Sequence, residues 1–169
     1  MALNSMQDLF VSQLKDVYSA ETQLTKALPK MAKAASHPAL AAAFEEHLEE
    51  TRGQIDRLDE IFEMLDEKPR GKTCKAMQGL IEEGKETMDE DGEDAVIDAA
   101  LIADAQRVEH YEISAYGTLK TLAALLGHDD AVALLEETLE EEKACDEKLT
   151  AIAESEVNPM ALSTADEEE

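Results

Sequence analysis

Phe10-Val11-Ser12-Gln13-Leu14-Lys15-Asp16-Val17-Tyr18-Ser19-Ala20-Glu21-Thr22-Gln23-Leu24-Thr25-Lys26-Ala27-Leu28 is the stretch on which the reading of the fold turns. Phe10, Leu14, Val17, Leu24 and Leu28, continued by Ala32, recur at spacings that mark one face of an α-helix. Glu21 interrupts that face at its midpoint, seven residues after Leu14 and seven before Leu28. Seven residues turn a helix by about 700°, nearly two full turns, so these three side chains share one direction. A buried carboxylate is costly unless it is paired, protonated or bound to a cation. An apolar helix face with an acid at its centre therefore describes a packed helix and a site within the packing.

The first helix is expected from about Ser5, where Ser5-Met6-Gln7-Asp8 resembles a capping box, to about Ala35, with a kink at Pro29. Ser36-His37-Pro38 breaks the chain and starts a second helix to about Asp66, with Leu40, Phe44, Leu48, Thr51, Ile55, Leu58 and Phe62 inward. A weakly amphipathic segment from Cys74 to Met88 follows Lys68-Pro69-Arg70-Gly71. The third helix is expected from about Asp94 to Leu126, capped by Gly127, and the fourth from about Asp129 to Val157, ended by Asn158-Pro159. Short links make an antiparallel hairpin of each pair, and the link between pairs is about 27 residues from Glu67 to Glu93. The expected fold is thus all-α: a ferritin-like four-helix bundle of two antiparallel hairpins, with a long crossover containing a short fifth helix. Residues 1–160 are read as the bundle and 161–169 as an acidic C-terminal tail.

Composition agrees with helices. Apolar residues make up 44% of the 169 positions but aromatics only 4%, with no Trp, so Ala, Leu, Ile, Val and Met must build the core. No stretch approaches the roughly 18 unbroken apolar residues of a membrane span, and no basic-then-apolar leader opens the chain, so a soluble cytoplasmic protein is expected. Forty acids against 15 bases give a formal net charge of −25, which repels nucleic acid and anionic membranes. Such a surface either attracts cations generally or belongs to a salty cytoplasm that screens it, and we read it as halophilic. Cys74 and Cys145 form no CxxC pair and are expected as reduced thiols.

Acids interrupt the apolar face of the other helices too. On the third, Glu109 and Glu112 share a side with Ala99, Ile102, Ala105, Ile113 and Tyr116, while His110 is rotated about 100° from Glu109 and reads as a flank. On the fourth, Glu142 and Asp146 fall within the stripe of Ala131, Leu135, Thr138, Leu139, Leu149, Ile152 and Ala153, while Glu140 and Glu141 point away. On the second, Glu50, His47 and Gln54 compete for the inward position. Glu50 ranks first because it lies 29 positions after Glu21 (50 − 21), close to the 30 separating Glu112 from Glu142 (142 − 112). The candidate metal-binding set is therefore Glu21, Glu50, Glu109, Glu112, Glu142, Asp146 and Gln54, with His47 and His110 around it. Converging carboxylates repel one another unless cations join them, and oxygen-rich ligation favours two divalent ions of Fe or Mn over Zn.

The segments Asp16-Val17-Tyr18-Ser19-Ala20-Glu21-Thr22-Gln23-Leu24, His47-Leu48-Glu49-Glu50-Thr51-Arg52-Gly53-Gln54-Ile55, Val108-Glu109-His110-Tyr111-Glu112-Ile113 and Glu137-Thr138-Leu139-Glu140-Glu141-Glu142-Lys143 resemble the YciF/YciE-like stress proteins. The resemblance covers nearly the whole chain and implies a ferritin-like bundle related to rubrerythrin, a di-metal site and a homodimer. Rubrerythrin-type sites use a Glu on helix one, ExxH on helix two, ExxE on helix three and ExxH on helix four. Glu21, Glu50, Glu109, Glu112 and Glu142 match the acids, but Gly53 and Cys145 stand where the histidines belong, leaving Gln54 and Asp146 as substitutes. No four-cysteine iron module is present to deliver electrons.

The leading functional expectation is a di-metal oxidoreductase acting on peroxide or oxygen in stress protection. A non-enzymatic iron-binding protein and a purely structural bundle are the alternatives. The acidic surplus itself makes a prediction: unfolding followed by circular dichroism should show stability rising steeply from low to multimolar salt. Equal stability at both ends removes the halophilic reading.

Overall fold

The computed structural model describes residues 3–166, and among them every regular element is helical. The elements are α1 (Met6–Ala34), α2 (Pro38–Met64), α3 (Lys75–Asp89), α4 (Asp94–Leu126), α5 (Asp129–Ile152), a π-helical turn (Ala153–Val157) and α6 (Asn158–Asp166). Each long helix starts and stops where the local chemistry directs. Ser5 Oγ accepts the Asp8 N–H at 3.0 Å, and the Asp8 carboxylate reaches back to accept the Asn4 N–H at 3.1 Å. Gly127 closes α4 at φ 76°, a left-handed conformation that glycine adopts without steric cost. Pro29 lies inside α1, which continues through it as one element.

The first turn of α2 is secured from a distance. His37 makes no side-chain cap of its own. Instead the buried carboxylate of Asp98 on α4 accepts the backbone N–H groups of Ser36 at 2.9 Å and His37 at 2.7 Å. Those donors precede the first turn of α2, where the helix itself offers no acceptor, and a carboxylate suits the positive end of the helix.

Helices α1 and α2 pack as one hairpin and α4 and α5 as another, with α1 against α4 and α2 against α5. Phe10 and Leu14 of α1 share an apolar cluster with Leu58 and Phe62 of α2, Tyr116 and Leu119 of α4, and Ala131 and Leu135 of α5. The opposite end gathers Leu24 and Leu28, Leu40 and Phe44, Leu101 and Ile102, and Leu149 and Ile152. The start of one helix thus meets the end of its neighbour throughout, which leaves α2 and α4 parallel. The chain must therefore travel back along the bundle between them. With α2 27 residues long, that return is about 40 Å at 1.5 Å per residue. Helix α3 makes part of it, packed on α1 and α4.

Two expectations change. The fourth helix does not end at Asn158-Pro159. A π-helical turn carries the chain past Ile152, Val157 is buried in the core, and α6 begins at Asn158 and packs on α4. Pro159 has no N–H to continue the helical ladder, and the π-helical turn before it, in which the Asn158 N–H reaches Ala153 O, carries the helix past it. Of the terminal acidic run, residues 167–169 lie outside the described residues. The inward face of α2 is also rotated from the expected one. Its buried line is Leu40, Ala43, Phe44, His47, Thr51, Gln54, Leu58, Ile61 and Phe62, and Leu48 and Ile55 stand on its flank. Three polar residues, His47, Thr51 and Gln54, hold the centre of that line and blur its axis.

Asp98→Ala should lower the stability of the fold by about 1–2 kcal/mol, read from urea unfolding, because it removes the acceptor that caps the two N–H groups at the start of α2. A change below about half a kcal/mol would show that the contact does not support α2.

Candidate metal centre

Along each long helix the two apolar clusters are separated by polar positions. Glu21 on α1, His47, Thr51 and Gln54 on α2, Glu109 and Glu112 on α4, and Thr138 and Glu142 on α5 are each no more than 2% exposed. Ligand atoms of His47, Glu109, Glu112 and Glu142 all lie within 4.8 Å of one another, and those of His47, Glu109 and Cys145 do likewise. His47 Nε2 stands 3.3 Å from Glu109 Oε1 and 4.0 Å from Glu112 Oε2. Its other nitrogen, Nδ1, is 3.3 Å from Glu50 Oε2, a contact that orients the ring and fixes which nitrogen faces inward. The Tyr116 hydroxyl donates to Glu21 Oε1, and the Gln54 amide donates to Glu142 and, at 3.0 Å, to Glu141 Oε2. Arg57 clamps Glu141 from outside.

These contacts orient the cluster without satisfying it. Glu21 Oε2, His47 Nε2, Gln54 Oε1, Glu109 Oε2, both carboxylate oxygens of Glu112 and Glu142 Oε2 are buried with no hydrogen-bond partner among the described residues. Buried polar atoms are nearly always paired, so such a concentration in one place points to a missing partner. Four carboxylates and one imidazole suit a hard-to-borderline divalent cation. The residues present therefore fit a metal.

The sequence-predicted residues fall into three groups. Glu21, Glu109, Glu112 and Glu142 converge at the centre. Gln54 joins them through its hydrogen bond to Glu142. Glu50 and Asp146 do not enter: Glu50, with a third of its side chain exposed, touches the centre through His47, and Asp146 faces His110 at 3.2 Å and Gln106 at 3.1 Å. The inward line of α5 is Leu135, Thr138, Glu142, Cys145 and Leu149, so Cys145, three residues after Glu142, takes the place expected for Asp146. His110 is largely exposed, as its rotation on α4 implied. Glu141 is paired with Gln54 and Arg57 and is not the free surface acid its position suggested. His47 and Cys145 are the central residues that spacing alone underrated. Their signal was present, since each lies three positions from a glutamate, His47 before Glu50 and Cys145 after Glu142.

A family model described as a domain of unknown function, DUF892, matches residues 5–162. Protein YciF of Escherichia coli strain K12 is 52% identical over 166 residues, which cover 98% of this chain and 100% of that protein. The crystal structure of the E. coli stress protein YciF aligns with a TM-score of 0.89 at 53% identity, over 92% of this chain and 98% of that one. YcfI, a proposed structural protein from Rhodopseudomonas palustris, aligns with a TM-score of 0.86 at 50% identity, over 89% and 96% of the two chains. A crystal structure from Xanthomonas campestris pv. campestris, only 19% identical, shares the fold with a TM-score of 0.74.

The cluster reshapes proton binding. Loss of water on burial and, after it, the Glu142 charge push the Glu21 carboxyl up to about 8 from 4.5, against the hydrogen bond of Tyr116 that lowers it. Burial raises Glu109 and Glu112 well above the usual carboxyl range as well. Burial opposes a charge on His47, but Glu109, Cys145, Glu50 and Glu142 outweigh it and hold the imidazole well above its ordinary value. The folded chain thus keeps protons that the unfolded chain has released, and stability falls as pH rises through that window. For the metal-free protein, the melting temperature should decline from about pH 5 to about pH 8, the interval between the ordinary carboxyl pKa and that of Glu21. Glu21→Gln, which can still accept from Tyr116, should flatten part of that decline in thermal scans. An unchanged slope would mean that Glu21 ionises freely in the fold.

Proposed function

The chain belongs to the YciF-like DUF892 family, and from that premise we propose that it is a ferritin-like di-metal carboxylate protein of stress protection, acting on peroxide or oxygen. The observation that carries this reading is the set of seven buried, partnerless polar atoms contributed by all four long helices. Glu21, Glu109, Glu112, Glu142 and His47 would hold the ions, with Cys145 beside His47 and Glu109. Two redox-active ions of Fe or Mn bound there would supply electron exchange with a small oxidant. The protein's own part is to shape and dry the site. The apolar clusters on either side exclude bulk water, Glu50 fixes the His47 ring, Gln54 fixes Glu142, and the Tyr116 hydroxyl holds Glu21. A small diatomic or peroxide-sized substrate suits an interior so closely packed.

A second reading, a structural helical-bundle protein without metal, draws on two observations. The raised carboxyl pKa values let the centre carry protons in place of cations, and the R. palustris relative is described as a proposed structural protein. Elemental analysis of protein purified without chelator separates the two. The di-metal reading expects about two Fe or Mn ions per chain and peroxide consumption by the loaded form. The combined change Glu21→Ala and Glu142→Ala should remove both while the helical circular dichroism remains. Metal-free protein whose melting temperature ignores added Fe or Mn supports the structural reading, and tens of ions per chain point to storage.

A further inference from the structure

Away from the carboxylate centre, α1, α3 and α4 leave a cleft of about 240 Å³. Its wall is apolar: Leu24 and Met31 of α1, Leu80, Ile81 and Met88 of α3, and Val108 of α4. Lys26, Lys30 and Lys85 stand at its rim, all exposed, and none has an ion-pair or hydrogen-bond partner among the described residues. In a chain of 40 acids and 15 bases, the cleft reverses the ratio. Its one carboxylate, Asp104, is already held by Thr87 at 2.6 Å and by Arg107. Other lysines, such as Lys15, Lys120 and Lys143, are paired with glutamates, and of those without a partner Lys26, Lys30 and Lys85 are the three gathered at one apolar cleft. Gly84 lines the cleft. A Cβ there would meet only the Asp104 Cβ, at an ordinary 4.0 Å, so no close approach demands glycine in the middle of α3.

We propose that this cleft binds a small amphiphile with an aliphatic body and a single anionic head, of the medium-chain fatty carboxylate class. The apolar wall takes the chain, and the unpaired ammonium groups at the rim take the head. The remaining surface, with its excess of acids, turns anions away, so the lysines mark one place where such a ligand is received. The carboxylate centre plays no part in this binding.

Calorimetric titration with decanoate, at an ionic strength of about 0.15 M to screen the overall negative field, tests it. One equivalent should bind saturably, and octanoate should bind about tenfold more weakly, as expected for two fewer buried methylenes. Decanol, which lacks the charge, should bind about threefold to tenfold more weakly, and Lys26→Gln with Lys85→Gln should bring decanoate down to the same level. Gly84→Leu should abolish binding of both; should that variant lose its helical signal, the lysine pair still decides. Absence of saturable binding overturns the proposal, as does equal binding of decanoate and decanol unaffected by the lysines. A dimer in sedimentation that Gly84→Leu dissociates, with no decanoate bound, would show that a second copy covers the cleft and would equally overturn it.

Discussion

The structure is organised around a layer of acids that has to be buried. Four helices each present an apolar face broken near its midpoint by glutamate or histidine, and packing those faces together forces the breaks into one plane. In water each carboxylate would be solvated from several sides. Inside, the only compensation comes from neighbours or from a bound ion, because bulk water is kept out by apolar clusters above and below. The plane therefore fixes the register of the bundle. Sliding one helix by a turn would place its acid among leucines and leave the others without it.

That register explains features that otherwise look unrelated. Adjacent helices run antiparallel, and α2 and α4 run parallel, so the crossover must return along the whole bundle. The return brings α3 and Cys74 against α1, where the Cys74 N–H donates to Ser19 and the Tyr111 hydroxyl donates to Asp16 at 2.8 Å. Asp98 ties the start of α2 to the start of α4. The Cys74 and Asp98 ties lie at helix starts and the Tyr111–Asp16 tie joins the middles of α4 and α1, and together they hold depth as well as stability. The Tyr116, Gln54 and Glu50 contacts then set the rotation of the central side chains.

Most of the helical layout was legible because long apolar periodicity and turn residues agree with each other. Glu21 stood out since leucines flank it at one heptad on both sides. Glu109, Glu112 and Glu142 were legible for similar reasons. The second helix was not, because its central inward positions, His47, Thr51 and Gln54, are all polar and blur the axis that Leu48 and Ile55 falsely suggested. Asp146 and Cys145 differ by one position, about 100° of rotation, and the apolar stripe of α5 did not resolve which of the two is buried; it is Cys145. Asp98 could not be found by spacing at all. Its role depends on a contact across 62 residues, and nothing local distinguishes it from the other surface-type acids of α4.

The same layer limits how far surface charge and interior chemistry can be treated as one property. Acids on the outside repel one another through water and salt, which weaken the effect within about 10 Å. Acids at the centre have no such relief, and their carboxyls respond by holding protons to higher pH. Proton and cation are thus alternative solutions to a single electrostatic problem, and each displaces the other. A bundle that needed a metal merely to fold would have little reason to retain Tyr116 and Gln54 as partners for Glu21 and Glu142. With those partners present, protons can stabilise the centre, and a cation, were one to bind, would meet carboxylates already turned toward it.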